Sequence, residues 1–301
     1  YGNDNSRFEY NKRAVKEKNF GPLIKTVMTR CIHCTRCIRF ATEIAGVSEL
    51  GATGMGENME VTTYIDKTIT SELSGNMIDI CPVGALTSKP FSLTARPWEL
   101  NKTETVDVTD AVGSNIRVDT RNNQVMRILP IVNEDINEEW ISDKTRFSYD
   151  GLKYNRLDTP YIKKNNDLNK STWDDAFSTI KAKISSLKGN KMAAIIGNQV
   201  DCESIILLKD LFRYFGSNNL LCSQNNSNYK NIPRIAYCFN TTISGIEDSD
   251  LCILVGTNPR LEASMLNARI RKRYLQGGYK IFSIGSSPDL NYSHKALDNN
   301  P

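Results

Sequence analysis

Cys31, Cys34 and Cys37 stand at C-x2-C-x2-C spacing in Cys31-Ile32-His33-Cys34-Thr35-Arg36-Cys37, and Cys81 is followed directly by Pro82. Three cysteines so spaced can point three thiolates into one small volume from a single loop. A fourth thiolate must then come from elsewhere, and a remote Cys-Pro is how ferredoxin-type sites supply it. Cys37 and Cys81 are separated by 43 residues, so such a centre would fasten two distant parts of the chain together. Cys31, Cys34, Cys37 and Cys81 are read as the ligands of one cubane 4Fe–4S cluster. Zinc on four thiolates fits the same residue types, although zinc sites usually show two paired C-x2-C arms. A disulfide framework fits poorly with closely spaced thiols and no secretory signal peptide.

Two arms of chain have to be delivered to one place. Gly21-Pro22 breaks the preceding segment, and Leu23-Ile24 with Val27-Met28 leads into the cysteine loop. The run from Ile38 to Ala45 reads as a short helix closed by Gly46 as its C′ residue. Glu60 to Ile65 alternates with β-branched residues and predicts a strand. Ser71 to Ile80 predicts a short helix that presents Cys81, with Pro82 suited to a first helical turn and Gly84 to a tight bend. Residues 1–20 are polar, with isolated apolar anchors at Phe8, Tyr10, Val15 and Phe20. They predict a lead-in segment lying on a partner or on the cluster domain, which itself covers residues 21–95.

Between residues 96 and 150 the pattern becomes β-rich. Thr105 to Val108, Asn115 to Asp119 and Gln124 to Leu129 are short strand-like runs, separated by the turn residues Gly113-Ser114 and Asn122-Asn123. Leu157 to Lys170 reads as a polar connection within the stretch from 151 to 301. From Ser171 the pattern is α/β: a helix capped by Ser171 or Thr172, strands at Met192 to Ile196 and Leu220 to Cys222, and a helix over Glu203 to Phe215. A buried apolar strand over Asp250 to Val255, a helix over Arg260 to Leu275 stopped by Gly277-Gly278, and a strand over Lys280 to Ile284 follow. Alternation of this kind predicts a mostly parallel sheet covered on both faces.

At 301 residues the chain has room for two domains, and 40% hydrophobic with 24% charged residues is an ordinary globular balance. A net charge of +4 gives no reason to expect nucleic acid or a membrane surface as partner. No apolar run approaches the ~20 residues of a membrane span. The start at Tyr1 rather than Met reads as a processed product or a piece of something longer, and the abundance of Asn fits an AT-rich organelle gene.

Other candidates carry less. His33 inside the loop would be redundant beside four thiolates and reads as a neighbour of the centre. Arg30, Arg36 and Arg39 would surround a net negative cluster and favour its reduced state, or else form a solvated face. Cys202, Cys222, Cys238 and Cys252 lack ligand spacing and read as buried structural thiols. Gly256-Thr257-Asn258-Pro259 before a helix could cradle a phosphate but is weak alone, and reads as a packing turn. His294 has no general-base partner in view. Two histidines in the whole chain support electron transfer better than acid–base catalysis.

The stretches T-R-C-I-H-C-T-R-C-I-R-F-A-T-E-I-A-G and D-I-C-P-V-G-A-L-T-S-K-P resemble the large iron–sulfur subunits of respiratory complex I, the NADH:ubiquinone oxidoreductase. The resemblance continues through Tyr1-Gly2-Asn3-Asp4, D-A-V-G-S-N-I-R-V-D-T-R, I-N-E-E-W-I-S-D-K-T-R-F, V-G-T-N-P-R and N-A-R-I-R-K, and so covers nearly the whole chain. It implies that Cys31, Cys34, Cys37 and Cys81 hold one 4Fe–4S cluster in an electron relay between NADH and quinone. It also implies a ferredoxin-like cluster domain, then the β-rich module, then over 151–301 a partial domain similar to molybdopterin oxidoreductases that has lost its cofactor. The family carries, ahead of the Tyr1 segment, a 2Fe–2S module and a His-ligated 4Fe–4S site whose ligands are not in this sequence.

The expectation is therefore a split or partial subunit. Its partners would be other complex I peripheral-arm subunits, including a chain bearing the N-terminal iron–sulfur modules, with no nucleic acid and no direct membrane span. The expected location is the matrix side of the mitochondrial inner membrane, or else a bacterial cytoplasmic face. Two alternatives stand beside it: a fragment of a molybdenum oxidoreductase catalytic subunit, and a zinc-bound structural subunit acting in assembly.

Overall fold

The structure is a computed structural model that describes residues 1–301 apart from 1, 3, 4, 6, 10–13, 198, 222–231, 286 and 299–301. Its contacts divide the chain into two compact units, Tyr1–Gly151 with Thr241–Pro301, and Leu152–Asn240.

In the first unit, β1 (Ile24–Thr26) leads through a 3-10 turn at Met28–Arg30 to the cysteine loop and to α1 (Arg36–Arg39). A π-helical turn over Phe40–Ala45 continues α1, and Gly46 ends it at φ 73°. The predicted helix is thus present with its glycine stop, but most of it, Phe40–Ala45, is wound more widely than an α-helix. The hairpin of β2 (Leu50–Thr53) and β3 (Glu60–Thr63) follows, then α2 (Asn76–Ile80) and β4 (Leu86–Ser88). Helical structure before Cys81 is therefore half as long as Ser71 to Ile80 predicts. Strand β4 pairs antiparallel with β1, Ile24 opposite Ser88 and Thr26 opposite Leu86. Phe20, Ile24, Met28, Phe40, Met77 and Leu86 are buried in the core beneath these elements. Val15 and Phe20 of the lead-in are buried there too, and Thr26 Oγ1 donates to Lys18 O at 2.7 Å.

The β-rich module is a meander of β5 (Asn101–Val106), β6 (Asn115–Arg121) and β7 (Gln124–Pro130). Asn122 and Asn123, both at positive φ, form the two-residue connection between β6 and β7. Such turns match the right-handed twist of the flanking strands. Asp119 has no exposed surface, and it accepts from Arg117 at 2.9 Å and Arg127 at 2.7 Å. Helix α3 (Asp143–Phe147) closes the module, its first turn capped by Ser142 accepting from Thr145 N.

The second unit opens with an antiparallel hairpin of β8 (Tyr161–Lys164) and β9 (Asp167–Lys170) where the sequence reads as a polar connection. Asn165 and Asn166 turn it at φ 52° and 72°, repeating the Asn-Asn chemistry of the β6–β7 turn. Helix α4 (Trp173–Ile184) starts at the predicted cap, Thr172 accepting from Asp175 N. Next come β10 (Ala194–Ile195), α5 (Cys202–Tyr214) and β11 (Leu220–Leu221), β10 and β11 pairing in parallel. Cys222, expected to end that strand, lies outside the described residues.

Back in the first unit, β12 (Leu251–Val255), α6 (Pro259–Glu262), α7 (Ser264–Leu275), β13 (Lys280–Ile284) and β14 (Lys295–Asp298) complete the chain. The expected helix over Arg260 to Leu275 is two helices, broken at Ala263 with φ −148°. Strands β12, β13 and β14 form a parallel sheet in that order. The α/β alternation thus gives two small parallel sheets rather than one. The β12 strand is not buried on both sides: Leu254 packs into a core with Ile270 and Ile281, while Leu251, Ile253 and Val255 are about half exposed.

Polar groups tie these parts together. Asn76, fully buried on α2, donates to Leu73 O at 3.0 Å and Ile141 O at 2.8 Å, and accepts from Ile141 N at 3.1 Å and Arg146 at 3.1 Å. One amide thus holds α2 to the start of α3. Truncating it strands several buried groups at once, each costing about 1–3 kcal/mol. Asn76→Ala should lower the unfolding free energy by about 3 kcal/mol, read as an earlier urea midpoint by near-ultraviolet circular dichroism. An unchanged midpoint would show that this network carries no net stability.

Candidate metal centre

The β1–β4 pairing solves the problem set by the 43-residue gap. Strand β1 ends five residues before Cys31 and β4 begins five after Cys81, so pairing them brings both arms side by side. Val27 N donates to Ala85 O at 2.8 Å and Lys89 N to Leu23 O at 2.8 Å, extending the ladder at both ends. The 3-10 turn then sets the first ligand position, with Cys31 N donating to Met28 O at 3.0 Å.

Within the loop, His33 and Thr35 adopt left-handed backbone conformations at φ 54° and 59°. Histidine visits that region more readily than most residues, but for β-branched Thr35 it is an outlier that costs of order 1 kcal/mol or more. These two reversals lie on either side of Cys34 and curl the loop back on itself. Cys37 lies in α1, just after the reversal at Thr35. On the other arm, α2 stops at Cys81, which takes an extended conformation, and Gly84 turns the chain at φ 66°.

All four cysteines line one pocket. Its remaining walls are largely apolar, with Met28, Ile32, Val61, Val83 and Leu86 among them. Cys31, Cys37 and Cys81 are partly buried, and Cys34 is exposed. Burial pushes the Cys37 thiol up to about 11, and the neighbouring Cys31, Cys34 and Cys81 thiols push in the same direction. Among the described residues, no three thiol, imidazole or carboxylate groups converge at the spacing of a single metal ion. A four-iron cluster is wider than one ion and holds its thiolates further apart. Four thiols around one apolar pocket are a donor set that fits such a cluster.

His33 is half-buried in the loop, Arg30 and Arg36 are exposed beside it, and exposed Arg39 sits 3.6 Å from Glu43. Cys202 and Cys238 are exposed, against the expectation of buried thiols; both lie in the second unit, where few side chains are buried. Cys252 is partly buried, its thiol raised by burial beside Tyr279. The Gly256-to-Pro259 turn is filled from within. Glu262 accepts from Thr257 Oγ1 at 2.7 Å and Asn258 N at 3.0 Å, and Asn258 caps α6 by accepting from Arg260 N. His294 is within 3.1 Å of Ser287 Oγ. In the sequence Met28 reads only as part of the lead-in to the loop and Val61 only as part of a strand, and Val83 and Leu86 go unremarked; only their apolar character beside the cysteine arms signals them as pocket walls.

The thiol environment has a measurable consequence. A pKa raised to about 11 leaves Cys37 with roughly a hundredfold less thiolate at pH 8 than an ordinary thiol. In the metal-free protein, iodoacetamide at pH 8 should alkylate exposed Cys34 well before Cys37, and the Cys37 rate should climb steeply up to about pH 11. Peptide mapping by mass spectrometry reads both; equal rates at pH 8 would contradict the pocket.

Three family models match the chain in succession. Residues 21–87 match the ferredoxin-like domain of NADH-quinone oxidoreductase subunit 3. Residues 100–150 match the NADH-ubiquinone oxidoreductase NDSU1/NuoG-like 4Fe-4S domain, although that stretch contains no cysteine here. Residues 156–301 match molybdopterin oxidoreductase. Among curated relatives, the NADH-ubiquinone oxidoreductase 75 kDa subunit of Reclinomonas americana is 52% identical over 99% of this chain and 45% of its own length. The corresponding NADH-quinone oxidoreductase subunits of Rickettsia felis and Rickettsia prowazekii are 55% and 54% identical, over 97% and 99% of this chain and 44% of their own lengths. The chain thus spans a little under half the length of the curated relatives it matches. Over that span it belongs to the family of the 75 kDa, NuoG-like subunits of NADH-quinone oxidoreductases.

Proposed function

We propose that this chain is an electron-transfer segment of an NADH-quinone oxidoreductase, holding one 4Fe–4S cluster on Cys31, Cys34, Cys37 and Cys81. The observation that carries the reading is the β1–β4 pairing, which places four cysteines from two distant arms around one apolar pocket. Bound there, a 4Fe–4S cluster supplies a one-electron carrier. The chain fixes its position through the two arms and limits water with Met28, Val61, Val83 and Leu86. Electrostatics and hydrogen bonding around the sulfurs then set the potential.

Oxidation of NADH and reduction of quinone belong to the whole assembly in this proposal, and this chain binds neither. Its partners are other peripheral-arm subunits, including polypeptide bearing further iron–sulfur modules. The site would face the mitochondrial matrix, with the bacterial cytoplasmic face as the alternative; among the described residues, no helix is long and apolar enough to cross a membrane. In domain terms, 1–20 is a lead-in, 21–95 the cluster domain, 96–150 a cysteine-free β module and 151–301 a molybdopterin-oxidoreductase-like scaffold. A molybdenum catalytic role is a second reading, favoured by the family match over 156–301. Glu262 argues against a phosphate at Gly256 to Pro259, because its carboxylate already takes the donors that a phosphate would use.

Anaerobic reconstitution with iron and sulfide should load about four irons per chain. Low-temperature electron paramagnetic resonance after dithionite reduction should show one reduced 4Fe–4S signal, and Cys81→Ser should abolish it while leaving circular dichroism unchanged. Zinc without a signal would replace electron transfer by a scaffold role, and stoichiometric molybdenum would support the catalytic reading.

A further inference from the structure

We propose that Arg146 of α3 is a positioning residue for the ligand Cys81, and that its ion pair with Asp79 sets the potential of the cluster. The proposal rests on the cluster reading above and adds a residue of the β-rich module to the control of that centre.

Helix α2 delivers the chain to Cys81, and its five residues are far too few for a helix to hold itself. Helix α3 grips it from outside. Asp143 accepts from Ser74 Oγ at 2.6 Å and Gly75 N at 2.7 Å, just ahead of α2. Arg146 Nη2 donates to Asn76 Oδ1 at 3.1 Å, on the first residue of α2. The same nitrogen donates to Asp79 Oδ2, two residues before Cys81. Of these contacts the last is nearest the ligand, and among the described residues Arg146 is the one ion-pair partner of Asp79. The Arg146 side chain is 4% exposed and passes close by Gly75, where an added Cβ would meet its Cδ at 2.7 Å and its Nε at 2.9 Å.

A guanidinium so placed does more than hold a helix end. A four-thiolate cluster becomes more negative on reduction, so a cation near it favours the reduced state and an anion opposes it. Charges reach further through apolar surroundings than through water, and Ile78 and Ile80 on either side of Asp79 pack against the core beneath the cysteine arms. Arg30, Arg36 and Arg39 on the other arm are exposed, where water and salt screen them. Arg146 and Asp79 cancel one another, so removing either member uncovers the charge of the other. The potential must then move in opposite directions for the two removals. Loosening of α2 alone gives no such signature, because both removals loosen it alike.

The test uses the full chain, anaerobically reconstituted, in potentiometric titrations followed by electron paramagnetic resonance, with urea midpoints measured alongside. Arg146→Gln should shift the midpoint potential down and Asp79→Asn should shift it up. The R146Q/D79N double variant should return to near the wild-type potential. Arg146→Lys keeps the charge and should recover the potential, but not the wild-type g-values, because an ammonium on a flexible stem does not reproduce two donations fixed by a planar guanidinium. Lys163→Gln, at an exposed position outside this unit, should change neither readout. Shifts of the same sign in R146Q and D79N, with matching falls in urea midpoint, would make the pair a tether of α2 and nothing more, and overturn the proposal. Unchanged potentials and g-values in both would overturn it too. Asp79 is 30% exposed in its side chain, so if R146Q does not fold, D79N decides: an upward shift upholds the proposal and no shift overturns it. A wild-type chain that takes up no cluster removes the electron-transfer reading and this proposal together. A loaded chain indifferent to both substitutions removes this proposal alone.

Discussion

Three residues of β1 paired with three of β4 are the constraint on which the centre depends. Four cysteines can act together only if a loop near residue 34 and a helix end at residue 81 meet, and the thiols themselves exert no attraction that would bring them together. The ladder supplies it, with the flanking bonds from Val27 to Ala85 and from Lys89 to Leu23. Beneath the ladder, Ile24 and Leu86 are buried with Met28 and Met77, so the pairing is secured by apolar burial as well as by hydrogen bonds. Closing a long excursion between two arms costs only slowly more as it lengthens. The hairpin of β2 and β3 and the helix α2 can therefore occupy the interval without loosening the site.

A second set of tethers binds later parts of the chain to this frame, and each uses a buried polar group. Asp143 accepts from Ser74 Oγ at 2.6 Å and Gly75 N at 2.7 Å, and its carboxyl is raised by burial. Gly75 is needed there, because a side chain would meet Arg146 and Asp143 at under 3 Å. From the far end of the sequence, Arg260 pairs with Glu72 at 3.0 Å and Arg271 donates to Thr42 O at 2.9 Å. Gly46 makes room for the Arg271 guanidinium at the end of the π-helical turn. Arg269, almost wholly buried, pairs with Glu138 and Glu247 and donates to the carbonyls of Glu134 and Ile136. Removing one partner from a buried charge network of this kind is far more damaging than never having built it. Arg260, Arg269 and Arg271 thus hold α6 and α7 to Glu72, Glu138 and Thr42 by charge and hydrogen bonding across more than a hundred residues of sequence.

Local chemistry made much of this legible in the sequence. Gly46 stops its helix, Thr172 caps α4 and Asn122-Asn123 turns a hairpin because each acts within a few residues of itself. The cysteine spacing identified the four residues that line the pocket for the same reason: it is a local pattern plus one marked outlier. What stayed hidden was long-range. No periodicity announces that Ile24 pairs with Ser88, or that Met265 of α7 joins the core of the cluster domain. The β8–β9 hairpin was missed through charge, since Tyr161 to Lys170 reads as solvated loop although Asn165-Asn166 carries the same turn signal as 122–123. The apolar run Leu251 to Val255 suggested a doubly covered strand. Hydrophobicity marks a strand but does not say whether anything lies on its second face.

The acid–base state of the pocket connects the fold to its chemistry. Burial first, and then the neighbouring Cys31, Cys34 and Cys81 thiols, disfavour ionisation of Cys37, which is pushed up to about 11. A thiolate at Cys37 is favoured when positive charge arrives beside it, as a metal ion supplies. The backbone does not wait on that event, because the strand pairing and the apolar core that position the arms contain no thiolate–metal bond. Cysteine positions are thus fixed by hydrogen bonding and burial, and the metal chemistry changes their ionisation.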